Sequence, residues 1–230
     1  MVAVTPIPAS KDFREKWWII NNQYSTGSCV GWATADSVLR WHFVKAGRLA
    51  TKPLLSPRSI WMAAKETDEF RARPTTFIEA DGTSLKAALD IARNYGCVED
   101  KVLPFASGKL FPDESATFYA IASQLTITSY INLGRNLGHW RRWLATKGPI
   151  LTWVDCDNSW MNATSTNGRL DAYDATSMQG GHAVALVGCD QNQLIVRNSW
   201  GTSWGNKGFA YASNAYAAAA FTEAYGVSMI

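Results

Sequence analysis

Cysteine and histidine are scarce in this sequence, and their scarcity limits the chemistry that the chain can support. Its 230 residues include four cysteines and three histidines. The cysteines lie far apart and form no Cys-x-x-Cys pair, so the chain has neither the spacing of a zinc site nor the density of a disulfide scaffold. We expect no metal and no cofactor. The spacing leaves open any disulfide among three of the cysteines, which are Cys97, Cys156 and Cys189.

Long apolar runs and concentrated charge are also missing. No apolar stretch approaches the roughly 18 residues of a membrane span. The 22 Lys and Arg residues are scattered among 19 Asp and Glu residues, which gives a net charge of +3. Only residues 139–143 (HWRRW) form a short basic cluster, which is typical of a solvated face. We therefore expect neither a membrane nor a nucleic acid as a partner.

The N-terminus lacks the pattern of a signal peptide. The stretch MVAVTPIPAS has no basic region, and Pro6 and Pro8 interrupt its apolar residues. We expect a cytoplasmic protein if Met1 is the native start, and a processed secreted form otherwise.

The composition and the residue patterns predict an α+β fold. Residues 29–44 carry an apolar stripe at helical spacing, and Ser56-Pro57 and Thr83-Ser84 are helix-start signals. After about residue 120 the segments ILTWVDC, HAVALVG, QLIVR and GFAYAS indicate strands. We expect a single domain over residues 1–230. It would have a helical lobe (roughly 25–120), a β-rich lobe (121–230), an N-terminal segment (1–24) joining them and a cleft between the lobes.

Cys29 is the cysteine in the best position to act as a nucleophile. It follows a Gly27-Ser28 turn and begins the first predicted helix. The partial positive charge of a helix N-terminus favours a thiolate, and the free backbone N–H groups there can donate to an oxyanion.

His182 is the best candidate for the base. His42 lies inside the first predicted helix, out of reach of Cys29, and His139 lies in the basic cluster at residues 139–143. His182 instead follows two glycines and opens an apolar strand, where a substrate backbone could approach closely.

A predicted hairpin connects His182 with Asn198. A register centred on Asp190 would pair Leu186 with Leu194 and Val184 with Val196, and it would then place His182 opposite Asn198. The Asn198 amide would orient the imidazole, and the Gln23 amide would donate to the same oxyanion as the Cys29 N–H.

These segments resemble the papain-like cysteine peptidases. NNQYSTGSCVGWA resembles the Gln-x5-Cys segment of that family, GGHAVALVG its histidine strand, and VRNSWGTSWGNKGFAY its Asn-Ser-Trp-Gly segment. The resemblance covers nearly the whole chain and implies a two-lobed papain-like fold. It makes Cys29 the nucleophile, His182 the general acid/base and Asn198 its orienter.

The same resemblance implies further site residues. Gln23 would be the oxyanion donor, and Trp200 would shield the His–Asn hydrogen bond. Gly82, in a segment (ADGTS) similar to the family's substrate-pairing loop, and Gly181 would be walls of the cleft, and Trp153 would line a pocket.

The sequence also departs from the family pattern. Thr26 replaces a family cysteine, so the corresponding disulfide is absent, and Val30 follows the nucleophile in place of an aromatic residue. The spacing from Cys29 to His182 and Asn198 exceeds the family's usual interval of about 130–150 residues. We expect an inserted polar loop (DNSWMNATSTNGRLDAYD) near the cleft, where it would alter specificity.

The favoured function is hydrolysis of peptide bonds through an S-acyl-enzyme, with a peptide or protein as substrate. We expect no inhibitory pro-segment ahead of residue 1, and this expectation leaves three options: a separate protein inhibitor, an intracellular life under reducing conditions, or cleavage before this chain began. A second interpretation is a transglutaminase-like acyl transferase or peptide ligase, which passes the acyl group to an amine. A third is a non-catalytic peptide-binding relative, although no triad residue is missing.

Overall fold

A computed structural model describes residues 8–68, 82–106 and 113–229. Within these residues the first half is mainly helical and the second half contains most of the sheet, so the predicted α+β class is confirmed. The helices are α1 Cys29–Gly31, α2 Arg40–Lys45, α3 Pro57–Thr67, α4 Leu85–Asn94, α5 Ser115–Ala122, α6 Leu137–Thr146, α7 Asn158–Met161 and α8 Asn214–Ala220. None of the described helices is long and apolar enough to span a bilayer.

The first predicted helix is continuous but not uniformly α-helical. A π-helical segment, Trp32–Leu39, lies between α1 and α2, and the Arg40 N–H donates to the Ala35 carbonyl at its end. The apolar stripe of this helix is buried against the sheet and the other helices. This burial fixes the position of the helix and therefore of its first residue, Cys29.

The predicted caps of the next two helices are confirmed. The Ser56 side chain accepts a hydrogen bond from the Ser59 N–H, directly before Pro57. Ser84, rather than Thr83, caps α4 by accepting from the Ala87 N–H. These caps satisfy backbone donors that have no partner inside the helix. Asp81, beside the predicted cleft residue Gly82, lies outside the described residues.

Among the described residues, eight strands form one sheet in the order β2-β8-β3-β5-β6-β7-β4, and β1 pairs with β5. All pairs are antiparallel except β4 with β7. The strands are β1 Lys11–Asp12, β2 Ser129–Asn132, β3 Ile150–Cys156, β4 Arg169–Leu170, β5 Gly180–Cys189, β6 Gln193–Arg197, β7 Phe209–Ser213 and β8 Phe221–Ser228. β8 did not stand out among the strand segments of the sequence, although it lies between β2 and β3.

The predicted hairpin register is wrong. Leu186 pairs with Val196, not with Leu194, and the register shifts again between Leu186 and Gly188. The cause is the turn: the Asp190 N–H donates to the Gln193 carbonyl, and the Asp190 carboxylate accepts from two N–H groups beyond it. The turn is therefore centred after Asp190, and His182 and Asn198 are not directly opposed in the sheet.

A buried ion-pair group joins the first helix to β6. Asp36 pairs with Arg40 at 2.9 Å and with Arg197 at 2.7 Å, and all three side chains are almost completely buried. Arg197 also donates to the carbonyls of Trp18 and Ile19. Because Arg197 directly precedes Asn198, this group fixes the end of β6 relative to the helix that begins at Cys29.

Candidate active site

Cys29 lies at the first position of α1 and is only 9% exposed. The turn before it is held by the Thr26 hydroxyl, which donates to the Gln23 carbonyl at 2.7 Å and lies 2.6 Å from the Ser28 hydroxyl. Hydrogen bonds of the Thr26 side chain thus hold this turn. All four cysteines, Cys29 included, are free thiols, so no disulfide joins Cys97, Cys156 and Cys189.

Burial raises the pKa of the Cys29 thiol, and the backbone N–H groups of Ala183, Val30 and Cys29 itself oppose this rise. Ala183 is the residue directly after His182. The thiol therefore lies against the backbone of the histidine strand, and it is surrounded by donors that can stabilise negative charge on the sulfur.

His182 and Asn198 form a direct hydrogen bond. His182 Nε2 lies 2.7 Å from Asn198 Oδ1. The same oxygen accepts the Ser199 N–H at 2.8 Å, which identifies it as the carbonyl oxygen of the amide. Nε2 must therefore carry the proton when the ring is neutral, and Nδ1 is left as the nitrogen that can accept one.

The Asn198 side chain reaches His182 although the predicted register is wrong. Asn198 follows the last residue of β6, and its own N–H donates to the Gly208 carbonyl rather than to β5. His182 pairs instead with Val154 of β3. The chain thus leaves the β5–β6 ladder before Asn198, and this departure brings the amide oxygen of Asn198 to Nε2 of the imidazole.

Burial lowers the pKa of His182 to about 4, and the hydrogen bond that the ring donates to Asn198 opposes that shift. His182 is 5% exposed and Asn198 is 2% exposed. An isolated imidazolium is unfavourable in such a site, because burial penalises the charged form. A positive ring becomes favourable only when a negative charge forms beside it.

Gln23 is oriented by hydrogen bonds at both ends of its amide. Its Oε1 accepts from the Ser199 hydroxyl at 2.7 Å, and its Nε2 donates to the Thr26 carbonyl at 3.1 Å. The Gln23 N–H also donates to the Ser199 carbonyl at 2.8 Å. One N–H of the side-chain amide remains available for another acceptor. Ser199 thus links the segment that follows Asn198 with the segment that precedes Cys29.

Trp200 covers the imidazole, with ring centroids 4.8 Å apart and an interplanar angle of 39°. Trp160 approaches the same ring edge-on, at 5.8 Å and 73°. Trp160 also packs edge-on against Trp200 and at 4.9 Å against Trp204. The His182 imidazole is therefore packed against two tryptophan rings, Trp200 and Trp160.

Trp160 is a site residue that the sequence did not single out. It belongs to the predicted polar loop, which instead contains α7 and β4 and ends at Asp174, the residue that caps a short 3-10 helix, Ala175–Ser177. Asp157 caps α7 and also accepts from the Asp174 N–H and the Tyr216 hydroxyl. The one signal in the sequence was a tryptophan placed shortly after Asp157 in an otherwise polar stretch.

The predicted cleft residues lie on two sides of this group. A Cβ atom on Gly82 would lie 3.7 Å from the Gly27 carbonyl, so Gly82 neighbours the turn before Cys29. A Cβ atom on Gly181 would overlap the Trp153 indole, so the indole packs directly on Gly181. Trp153 and Gly181 therefore form one surface beside His182. In the part of the chain that the structure describes, no three His, Cys, Asp or Glu side chains are arranged to hold a metal ion.

Comparisons with known proteins identify the family and the fold of this chain. The sequence profile of the papain family cysteine proteases matches residues 7–227. The chain is 25% identical to cathepsin J of Rattus norvegicus over 213 residues, covering 88% of this chain and 59% of the relative. It is 27% identical to cathepsin K of Mus musculus over 212 residues, covering 89% and 59% respectively. The chain thus spans well under two thirds of the length of these relatives.

Solved structures share the fold. Xylellain, a cysteine protease from Xylella fastidiosa, superposes with a TM-score of 0.84 at 20% identity, covering 98% of this chain and 87% of that one. A Carica candamarcensis cysteine protease in complex with E-64 superposes with a TM-score of 0.70 at 19% identity, covering 97% and 99%. The fold agrees with these structures and the family profile matches nearly the whole sequence, so the chain belongs to the papain family of cysteine proteases.

Proposed function

We propose that the chain is a cysteine peptidase that hydrolyses peptide bonds through an S-acyl-enzyme. The observation that carries the proposal is the 2.7 Å hydrogen bond between His182 Nε2 and Asn198 Oδ1, together with the free thiol of Cys29, which lies at the backbone N–H of the next residue, Ala183. Family membership supports the same chemistry. The substrate is a peptide or protein whose backbone lies in the cleft, between Gly82 and the Trp153–Gly181 surface.

Acylation begins with transfer of the Cys29 proton to His182 Nδ1. Burial disfavours either charge alone, since it raises the pKa of the thiol and lowers that of the imidazole. Transfer between the two creates a thiolate and an imidazolium together, so each charge stabilises the other. Asn198 holds the ring in the tautomer that this transfer requires.

The thiolate then attacks the substrate carbonyl, and the resulting oxyanion needs donors. The Cys29 N–H lies at the helix N-terminus, and the Gln23 side chain supplies its remaining N–H. His182 protonates the leaving amine, and the S-acyl-enzyme forms. Water activated by the same histidine then releases the acid and restores the thiol.

The acyl-enzyme could also be passed to an amine, as in a transglutaminase-like transferase or a peptide ligase. The same residues would serve both reactions, because the outcome depends on whether water or an amine reaches the thioester. Incubation with a peptide substrate and excess amine separates the two. We expect the free acid to dominate, and a dominant amide product would overturn the hydrolase assignment.

The activity itself is tested by profiling a diverse peptide library with wild type and Cys29→Ala, in the presence and absence of reductant. We expect turnover by wild type and none by Cys29→Ala, with Cys156→Ala as the matched control that keeps activity. Turnover by neither protein, together with retained peptide binding, would favour a non-catalytic relative. One structural relative is in complex with E-64, and we expect this chain to bind E-64 only when the Cys29 thiol is present.

A further inference from the structure

Asp157 closes the polar loop that carries Trp160. The loop runs from Asp157 to Asp174, and the side chain of its first residue accepts the N–H of its last residue at 2.9 Å. The same side chain accepts the Trp160 N–H at 3.2 Å and the Ser159 hydroxyl at 3.3 Å. Asp157 therefore holds the two ends of the loop together and fixes the short helix α7, in which Trp160 lies.

A tyrosine outside the loop ties this closure to the sheet. The hydroxyl of Tyr216, on α8, donates to Asp157 Oδ1 at 2.9 Å. The Ser213 hydroxyl at the end of β7 accepts the Tyr216 N–H at 3.0 Å, and α8 leads directly into β8. The Tyr216 ring also packs edge-on against Tyr173 of the loop, with centroids 5.8 Å apart. Tyr216 thus connects the loop to a helix that joins two strands of the sheet.

The burial of Asp157 is unusual for an acidic residue. Asp157 is 0% exposed, and among the described residues no lysine, arginine or histidine forms an ion pair with it. Burying a carboxylate without a cation is costly, and its hydrogen bonds offset that cost. Each Asp157 oxygen accepts from two donors. An asparagine would be less costly to bury, but it could serve only one of the two pairs, because its Nδ2 is itself a donor. The carboxylate is therefore needed to hold the loop on both sides.

Trp160 connects this closure with His182. The Trp160 ring lies edge-on to the imidazole at 5.8 Å, and the Trp160 carbonyl accepts the Trp204 indole N–H at 3.2 Å. The hydrogen bond to Asn198 fixes one nitrogen of the imidazole, but the ring can still turn about that bond. Contacts on the ring itself restrict this rotation. The position of Trp160 therefore affects the direction in which Nδ1 of His182 points.

We propose that Asp157 and Tyr216 are positioning residues for catalysis, which act through Trp160 on the orientation and water exclusion of the His182 imidazole. Losing either contact loosens α7, so the Trp160 ring no longer holds the imidazole at one angle. The inference rests on the proposed peptidase function, in which His182 Nδ1 takes the Cys29 proton, and it concerns how accurately that nitrogen is directed at the thiol.

The main test variant is Tyr216→Phe, which deletes one hydroxyl and keeps the buried ring. Its matched control is Tyr130→Phe, because the Tyr130 hydroxyl also donates to a carboxylate, that of Asp90 at 2.6 Å, and joins β2 to α4. Asp157→Asn is the second variant. Peptide turnover is measured as kcat per Cys29 thiol titrated with a peptide epoxide, so that unfolded protein does not lower the value. Solvent exchange of the His182 Nε2–H proton is followed by NMR with isotope-labelled histidine.

We expect Tyr216→Phe to lower kcat about 5- to 20-fold with KM nearly unchanged, which is less than the roughly 100-fold loss that a 1 Å misplacement can cause. Exchange of the Nε2–H proton should become several-fold faster. Asp157→Asn should have larger effects on both quantities, and Tyr130→Phe should change neither. When Trp160→Ala is already present, adding Tyr216→Phe should change kcat by about twofold or less, because the ring through which Tyr216 acts is gone.

Wild-type kcat and wild-type exchange in both Tyr216→Phe and Asp157→Asn would overturn the inference. A loss of kcat in Tyr216→Phe that is equally large beside Trp160→Ala would also overturn it, because Tyr216 would then act by another route. Absence of peptide turnover in wild type would instead contradict the proposed function. The exchange of the Nε2–H proton would still test the positioning of the ring, so the two failures are distinguishable.

Discussion

The Asn198 side-chain oxygen accepts two hydrogen bonds at once, from His182 Nε2 at 2.7 Å and from the Ser199 N–H at 2.8 Å. The backbone bond fixes the amide orientation, and the amide in turn fixes the imidazole tautomer. The same Ser199 donates its hydroxyl to Gln23. A single segment after β6 therefore aligns both the proposed base, His182, and the proposed oxyanion donor, Gln23.

Replacing Asn198 should impair catalysis less than losing the base. In Asn198→Ala the imidazole keeps its aromatic neighbours but loses the acceptor for Nε2–H, so its tautomer and angle are less well fixed. We expect kcat to fall about 10- to 100-fold, below the roughly 10²–10⁴ that general acid–base catalysis supplies. Steady-state kinetics on a cleavable peptide measures this loss. Wild-type kcat in Asn198→Ala would show that the hydrogen bond does not orient the base.

Trp160 should matter for both stability and activity. Its side chain is completely buried, and Trp160→Ala would leave a cavity beside His182 that lowers the free energy of unfolding by about 3–5 kcal/mol. The Trp160 indole N–H has no partner within the described residues. Trp160→Phe should therefore cost less than half of that amount and retain most of the activity. Urea unfolding and kcat, measured on both variants, check that Trp160→Phe loses less stability and less activity than Trp160→Ala. A larger loss of stability in Trp160→Phe would contradict this prediction.

Gly181 and Trp153 should be coupled. A methyl group on Gly181 would overlap the Trp153 indole, and the three nearest atoms all belong to that ring. Gly181→Ala alone should therefore displace the indole and lower kcat/KM, and adding Trp153→Ala should remove the overlap. In a double-mutant cycle on the free energy of unfolding, the double variant should be more stable than the sum of the two single effects predicts, by about 1 kcal/mol or more. Additive effects would mean that the indole moves away freely.

Acid should destabilise the protein through two buried histidines. Burial lowers the pKa values of His42 and His182 to about 4 each. The unfolded chain takes up these protons near its ordinary pKa of about 6.5, before the folded chain does. The free energy of unfolding is therefore highest above about pH 6.5. It falls as the pH drops toward 4, by about 3 kcal/mol for each histidine.

The contribution of His42 can be separated, since it lies in α2, away from Cys29. The pH dependence of urea unfolding should be shallower in His42→Gln than in wild type between pH 6.5 and 4. Identical slopes would show that His42 is not responsible for its part of the acid sensitivity.

Local chemistry made much of the fold predictable from the sequence. Ser56 with Pro57, and Ser84 before an apolar helix, are capping signals that act within one turn, and both helices begin where those signals stand. The candidate site residues were also predictable, because the segments around Cys29, His182 and Asn198 each resemble a family segment. The α+β class followed from the same local patterns.

The long-range features were less predictable. The hairpin register depends on how the Asp190 carboxylate binds the N–H groups of Asn192 and Gln193, and a shift of one residue in the turn changes every pair. β8 acquires its strand character from β2 and β3 on either side, not from its own alternation. Trp160 reaches His182 only because α7 folds back from β3, and no local pattern records that contact.

The measurement that tests the central claim most directly is alkylation by a thiol-reactive peptide epoxide, followed by mass spectrometry of the modified residue. We expect one equivalent to be incorporated at Cys29 alone, with parallel loss of peptidase activity, and the rate of incorporation to fall strongly in His182→Ala. Labelling that persists in Cys29→Ala, at Cys97 for instance, or that proceeds at the wild-type rate without His182, would contradict the assignment of Cys29 as a nucleophile activated by His182.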